Sequence, residues 1–349
     1  MVKQQPMMKA LKYILFIVLI LVIGVSIYIA VQPNSFEVKR TRTVNAPAQV
    51  IYNNVIDFKN WEAWSSWVEK DSETVITLSD KTAGVGGSFT WVDSHGNGSM
   101  KTLEANPPNT ITQELQFGDF EPSKVTWNFE TTDDGKTNVT WKMNSDNVPF
   151  IFKASALKEG GFDNMIGPDF ERGLEKLDSI IVESMMKYSV KVDGVTNHGG
   201  GYYIYNTTSV KMSDFKSEMQ EMMPKISEYA KKNNITMAGA PFVLYHKWDE
   251  KNNAVMFSCC IPTTAQVITT ESDILTGQLE PFKAVKTTLT GDFENLKEAW
   301  DKTFKYIENY QLTAPQTGPM LEVYLTDPSL VPNPANWKTE IYIALDETK

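Results

Sequence analysis

An almost unbroken apolar run, Tyr13 to Val31, dominates the start of the chain, and no charged residue falls between Tyr13 and Phe36. About 20 residues rising about 1.5 Å each span a hydrocarbon core of about 30 Å. The run therefore predicts a transmembrane helix over 13–32, after a short stub at 1–12. Lys3, Lys9 and Lys12 precede it, as basic residues precede a signal peptide. The stretch is longer than an ordinary signal h-region, and no small-x-small cleavage site follows before Gln32-Pro33. It reads as an uncleaved single-pass anchor, with a cleaved signal peptide as the competing reading. Lys39, Arg40 and Arg42 nearly balance the three lysines on the other side. Glu37 and the shortness of the stub tilt the assignment toward an N-terminus inside and the bulk of the chain outside the cytoplasm. The expected location is the bacterial inner (cell) membrane.

From about 36 to 190 the pattern changes to alternation. FEVKRTRTVNA is extended, and Ala46-Pro47 then opens a helix, with proline where helices accept it. Strand-like runs follow: SFTWVDS, SMKTLEA, TITQELQF, SKVTWNFE and TNVTWKMN. Turn signals such as Gly86-Gly87, Gly96-Asn97-Gly98, Pro107-Pro108 and Asp133-Asp134-Gly135 separate them. Between Phe162 and about Tyr188, Phe170, Leu174, Leu177, Ile180 and Ile181 recur at helical spacing. An antiparallel sheet followed by one long amphipathic helix implies that the helix lies across the sheet's concave face.

A glycine-bearing stretch at 191–201 is expected to be a linker between domains. Beyond it the chain repeats itself. Thr207-Thr208, Asp214-Phe215, a helix, and Gly239-Ala240-Pro241 leading to Tyr245 return as Thr287-Thr288, Asp292-Phe293, a helix, and Gly318-Pro319 leading to Tyr324. Phe215, Met219, Met222 and Ile226 in the first helix, and Phe293, Leu296, Trp300, Phe304 and Ile307 in the second, keep a mixture of three and four spacing. The reading is two copies of a strand-helix-strand-strand unit, hence an α+β domain with approximate twofold symmetry.

Two late strands carry the most suggestive chemistry. Each places a carboxylate two residues before a tyrosine: Glu322 and Tyr324 in MLEVYL, Glu340 and Tyr342 in TEIYIAL. Residues two apart on a strand share a face, so each strand presents a carboxylate with a phenol. That pairing suits a cation held among rings, and equally a plain solvent face. Aligning Tyr245 with Tyr324 sets Val243 opposite Glu322. The strand therefore has no need of an acid there in order to fold.

Composition narrows the partners. The 349 residues allow two ordinary domains besides the apolar segment, and a net charge of −10 argues against nucleic acid or an anionic lipid surface as the main partner. Cys259 and Cys260 are adjacent on an apolar strand and point to opposite faces, which disfavours a disulfide between them. His95, His198 and His246 lie far apart, without the close pairs that zinc sites show. Neither a metal nor a cofactor is expected, and no acid–base pair is nominated by spacing.

The first domain resembles the START-like, polyketide-cyclase superfamily SRPBCC, with its helix-grip fold. The residues that carry the resemblance are VNAPAQVIY (Val44 to Tyr52), NWEAWSSW (Asn60 to Trp67) and IGPDFERGLEKL (Ile166 to Leu177). The resemblance implies a cavity for hydrophobic ligands between sheet and long helix over 36–190, and implies no particular reaction. Trp61, Trp64, Trp67, Trp91, Trp127 and Trp141 are candidate linings, or simply core. Trp61 and Trp64, three apart, form the pair to test.

The second domain, 202–346, is similar to the GyrI-like effector-binding domains, also found as the drug-sensing half of some transcription activators. The residues are Gly239 to Pro241, Phe257 to Pro262 (FSCCIP), Thr290 to Trp300 (TGDFENLKEAW), Leu321 to Pro328 (LEVYLTDP) and Thr339 to Ile343 (TEIYI). This resemblance implies a pocket between the two repeats for lipophilic molecules, cationic ones among them. It makes Glu322, Glu340 and Tyr342 the lining candidates, with Tyr324 and Trp300 behind them. The chain departs from the family's regulators in three ways: it has no helix-turn-helix segment, Thr326 to Trp337 is inserted between the two E-x-Y strands, and Ala344 stands where a proline is usual. The first departure removes a DNA-binding role. A membrane-anchored binder with two ligand cups is thus expected. The alternatives are a hydrolase acting on reactive lipophilic molecules through the pocket glutamates, and an interaction module whose cavities are self-filled. Protein partners are not indicated.

Overall fold

The computed structural model describes residues 5–71, 73–94 and 96–346. It divides into two compact units, Met1–Glu183 and Ser184–Lys349. Lys3 and His95 lie outside the described residues.

The first unit opens with helix α1 (Gln5–Ala30). Helix formation starts before the apolar run because Pro6 sits in the first turn and Met, Ala and Leu follow. Within it, Ala10–Ala30 is long and apolar enough to cross a membrane by length and composition. There follow β1 (Phe36–Val44), α2 (Ala48–Val55), α3 (Trp61–Trp64), α4 (Ser66–Lys70), β2 (Val75–Leu78), β3 (Ser88–Asp93), β4 (Gly96–Asn106), β5 (Thr110–Phe117), β6 (Ser123–Thr131), β7 (Thr137–Ser145), α5 (Phe150–Lys158) and α6 (Phe162–Met185). The strands form one antiparallel sheet in the order β1-β7-β6-β5-β4-β3-β2. Along β7 the burial alternates without a break, so Val139, Trp141 and Met143 face the core.

Across that face lies α6, which buries Phe170, Leu174, Leu177 and Ile181. The indole of Trp141 stacks on Phe170 at 4.1 Å. Arg40 on β1 bridges to Asp163 (2.7 Å) and Glu171 (2.5 Å) of α6, and Arg42 to Asp178 (2.8 Å). This is the helix-grip arrangement that the alternation and the long helix predict.

The second unit comprises β8 (Ser189–His198), β9 (Gly201–Lys211), α7 (Phe215–Lys232), β10 (Phe242–Asp249), β11 (Ala254–Thr263), β12 (Leu275–Leu279), β13 (Phe282–Thr290), α8 (Leu296–Asn309), β14 (Met320–Tyr324) and β15 (Lys338–Ala344). Its sheet runs β12-β9-β11-β10-β14-β15-β13-β8. The central six strands read the same from either end, as β9, β11, β10 and then β14, β15, β13. Each half is thus one strand-helix-strand-strand copy. The two copies meet where β10 pairs antiparallel with β14, and Val243 stands directly opposite Glu322. These are the residues that the repeat aligns with each other, so the pair sits on the local twofold axis.

The stretch 191–201, expected as a linker, is mostly the edge strand β8, paired along β13. Its burial alternates residue by residue. Gly194, at φ +95°, marks a bulge where the register with β13 shifts, and a Cβ there would come 3.3 Å from the Tyr306 hydroxyl. Glycine serves here as a bulge residue, and residues 191–198, expected as linker, are strand.

Candidate functional site

On the face of the second sheet covered by α7 and α8, Glu322 is 2 % exposed. Its Oε1 accepts from Trp300 Nε1 on α8 (2.5 Å), and its Oε2 accepts from the Tyr324 hydroxyl (2.6 Å). The Tyr245 hydroxyl, from β10, lies beside the same carboxylate and favours its charged form. Tyr245 and Trp300 meet edge to face, with centroids 5.6 Å apart. Met219, from α7, lies 3.5 Å from the Tyr324 hydroxyl through its sulfur. Val243, Met222, Phe257 and Cys259 complete the surrounding apolar cluster. One carboxylate is thereby enclosed by rings and thioethers drawn from both repeats.

Burial pushes the Glu322 carboxyl above its ordinary range, while the hydrogen bonds from Tyr324 and Trp300, and more weakly the neighbouring Tyr245 hydroxyl, oppose that shift. Desolvation wins because stripping water from a carboxylate costs more than neutral donors return. The same enclosure raises both tyrosines well above the usual phenol value, with the Glu322 charge adding to the effect. Chemically, the group is an anion short of a counter-charge. A cation supplied from outside would stabilise its ionised form, and the ring faces could hold the cation.

The two E-x-Y strands do not converge on one pocket. β14 and β15 pair with Glu322 opposite Ile341, and with Val323 opposite Glu340. Directly paired residues share a face. Glu340 and Tyr342 therefore project from the side of the sheet away from α7 and α8, which corrects the expectation of one shared lining. There Glu340 binds Lys286 Nζ at 2.5 Å and accepts from the Tyr342 hydroxyl at 2.7 Å. Lys286 also sits 5.8 Å from the Tyr342 ring centroid. His198 packs on Phe282 and meets Tyr342 edge-on. This carboxylate already has its cation.

In the first unit a cavity of about 180 Å³ is walled by Trp61, Trp67, Phe89, Trp91, Met100 and Phe117, with Lys70, Asp71 and Asp93 among its polar lining. Trp61 and Trp64 do share a face, 4.7 Å apart. Trp61 reaches the cavity wall, whereas Trp64 does not and is completely buried against Trp127 and Trp141. Those last two indoles stack at 4.4 Å, and Trp141 continues onto Phe170. Beneath α6 the cup is filled by its own side chains, and the open space lies toward β2 to β5.

Residues 202–346 match the family described as GyrI-like small molecule binding domain, and residues 35–181 match polyketide cyclase / dehydrase and lipid transport. The chain joins a polyketide cyclase-like domain to a GyrI-like domain. Both descriptions make it a small-molecule-binding protein in the coarse sense. No curated protein matches the chain significantly. Among solved structures, the C-terminal domain of EcmrR is 19 % identical, covering 47 % of this chain and 100 % of its own, with a TM-score of 0.40. CV1439 from Chromobacterium violaceum is 16 % identical over 43 % of this chain and 98 % of its own (TM-score 0.32). SAV2435, solved bound to tetraphenylphosphonium, is 12 % identical over 46 % and 94 % respectively (TM-score 0.34).

In the GyrI-like domain, sequence reasoning named Glu322, Tyr324 and Trp300 but not Tyr245 or Met219 as parts of the site. Tyr245 had a signal, since it is the repeat partner of Tyr324. Met219 had only its helical spacing. Cys259 and Cys260 are both free and buried, one in each face's apolar cluster. Among the described residues no group of three His, Cys, Asp or Glu could hold a metal ion. His246 instead pairs with the Ser258 hydroxyl at 2.7 Å.

Proposed function

We propose that this chain is a membrane-anchored receptor for small lipophilic cations, with α1 as an uncleaved single-pass anchor in the bacterial inner membrane and the GyrI-like domain as the principal binding site. The observation that carries the reading is Glu322, a carboxylate buried on the twofold axis whose partners are Trp300, Tyr324 and Tyr245. A buried acid satisfied only by neutral donors keeps an elevated pKa and gains most from a ligand that brings positive charge. Stacking on Trp300 or the tyrosines adds roughly 0.5–2 kcal/mol. Since these groups close on one another, entry requires the Trp300 indole and the Met219 side chain to move aside; thioethers repack readily. The two faces of the sheet differ in kind: the Lys286–Glu340 pair is internally neutralised, so the ligand is assigned to the helix-covered face.

Isothermal titration of the detergent-solubilised full chain with tetraphenylphosphonium tests this. Saturable binding is expected, and Glu322→Gln should weaken it about tenfold or more, equivalent to about 1.4 kcal/mol. Glu340→Gln should leave it nearly unchanged. Equal affinities for wild type and Glu322→Gln would refute the assignment.

A further inference from the structure

Helix α5 turns one of its two lysines inward: Lys153 is 5 % exposed, while Phe150, Ile151 and Leu157 are 50 %, 57 % and 40 % exposed; the other, Lys158 in the last turn, is exposed. Phe150, Ala154 and Leu157 follow at i, i+4 and i+7, a single stripe on the outer surface of the helix. Phe120, in the turn after β5, adds another exposed ring at 43 %, and Phe152 joins it at 5.2 Å and Phe117 at 5.8 Å. Isolated apolar side chains on a surface are ordinary, but a contiguous group such as this marks a partner surface.

What partner this is follows from where the buried lysine goes. Lys153 Nζ donates to the backbone carbonyls of Gln32 (2.8 Å) and Ala30 (3.5 Å), and to Asn34 Oδ1 (2.5 Å). Val148 N–H donates to the Asn34 carbonyl at 2.8 Å. These bonds cap the C-terminal end of α1, and Ile29 is buried at the same junction. Ala30 is also the last residue of the segment long enough to cross a membrane. The headgroup layer on each side of a bilayer is roughly 5–7 Å deep. A helix pinned to the end of the span therefore lies within that layer, which is where a monotopic helix buries its apolar stripe.

We infer that α5 and the Phe120 turn form a membrane-docking surface, with Phe120, Phe150, Ile151 and Leu157 inserted into the leaflet from which α1 emerges. The contact is driven by apolar burial. Asp119 and Glu121 flank Phe120, and Glu159 follows α5 beside Lys158, all exposed; these acids outnumber that lysine, so anionic lipid gains nothing here and zwitterionic lipid suffices. The inference rests on the reading of α1 as a retained anchor.

The test uses the full chain in phosphatidylcholine nanodiscs, with an environment-sensitive fluorophore on one introduced cysteine at a time. Cys259 and Cys260, both fully buried, stay unlabelled in the folded protein. The sites are Ile151→Cys on the proposed surface, Asp133→Cys in the β6–β7 turn as an aqueous reference, and Ile20→Cys in α1. The Ile151 label should shift to the blue and lose most of its emission to shallow doxyl-labelled lipid, while the Asp133 label does neither. If the Ile20 label is quenched by deep doxyl lipid but the Ile151 label behaves like Asp133, anchoring stands and the docking surface is refuted. A blue-shifted Ile151 label that lipid does not quench means that protein covers the patch, and also refutes it. An unquenched Ile20 label overturns the anchor and the docking surface together.

Discussion

Glu322 shows how one residue can be readable in outline and still depend on its surroundings for its chemistry. Its repeat partner is Val243, which pairs directly opposite it, so the position accepts an apolar side chain and the acid is an addition to the fold. Burial raises the folded-state pKa above the ordinary 4.5. For an acid so shifted, the stabilising contribution is complete below pH 4.5 and is lost as pH rises through the elevated folded value, because the unfolded chain ionises first. The wild type should therefore lose stability with rising pH across that window relative to Glu322→Gln, as measured by urea unfolding at a series of pH values. Affinity for a lipophilic cation should rise with pH over the same range, because the ionised carboxylate is the binding form. Stability and affinity moving in opposite directions would distinguish this titration from a general acid effect, and parallel changes would contradict it. The alternation of MLEVYL puts Glu322 and Tyr324 on one face. Which face that was, and that Glu340 belongs to the other, depended on the pairing register of β14 with β15.

Elements impose their own demands, most plainly where α6 crosses the first sheet. A Cβ on Gly173 would come 2.9 Å from Trp141 Cζ3, and one on Gly167 would meet the Arg40 guanidinium. The neighbours differ in how far they can yield. Trp141 is held between Trp127 and Phe170 at 4.4 and 4.1 Å, whereas Arg40 is the far end of a flexible chain whose ion pairs reach exposed carboxylates. Overpacking a filled core costs about 1–3 kcal/mol, while exposed ion pairs contribute about 0–1 kcal/mol. Gly173→Val should thus lower the unfolding free energy clearly more than Gly167→Ala, a ranking that chemical denaturation of the two variants would check. Helical spacing exposed the buried stripe of α6 in the sequence. The glycine contacts were invisible because they are made to β1 and β7, far away along the chain. β8 was misjudged for a related reason: Gly194 looks like linker composition until its partner strand shows it to be a bulge.

At the scale of the molecule, each unit has its own sheet, covering helices and core. The division falls between Glu183 and Ser184, in the last turn of α6 and just before β8 starts at Ser189. A fragment of residues 186–346 should fold alone and keep the Glu322-dependent binding of tetraphenylphosphonium, whereas one starting at 202 lacks the edge strand β8 and should be less stable; circular dichroism melts and titration of the two fragments decide this. The sequence by itself determined the long apolar helix at the start, the order of strands and long helix in the first domain, the duplicated unit and the sharing of one strand face by Glu322 and Tyr324. All of these are carried by short-range periodicity or by a repeat within one chain, and each element records that information locally. Tertiary structure alone decided that the two E-x-Y strands face opposite ways, that Trp64 fills the core while Trp61 reaches the cavity, and that Lys153 turns inward to the end of α1. Those outcomes depend on register and on contacts between residues remote along the chain, and local patterning carries no record of either.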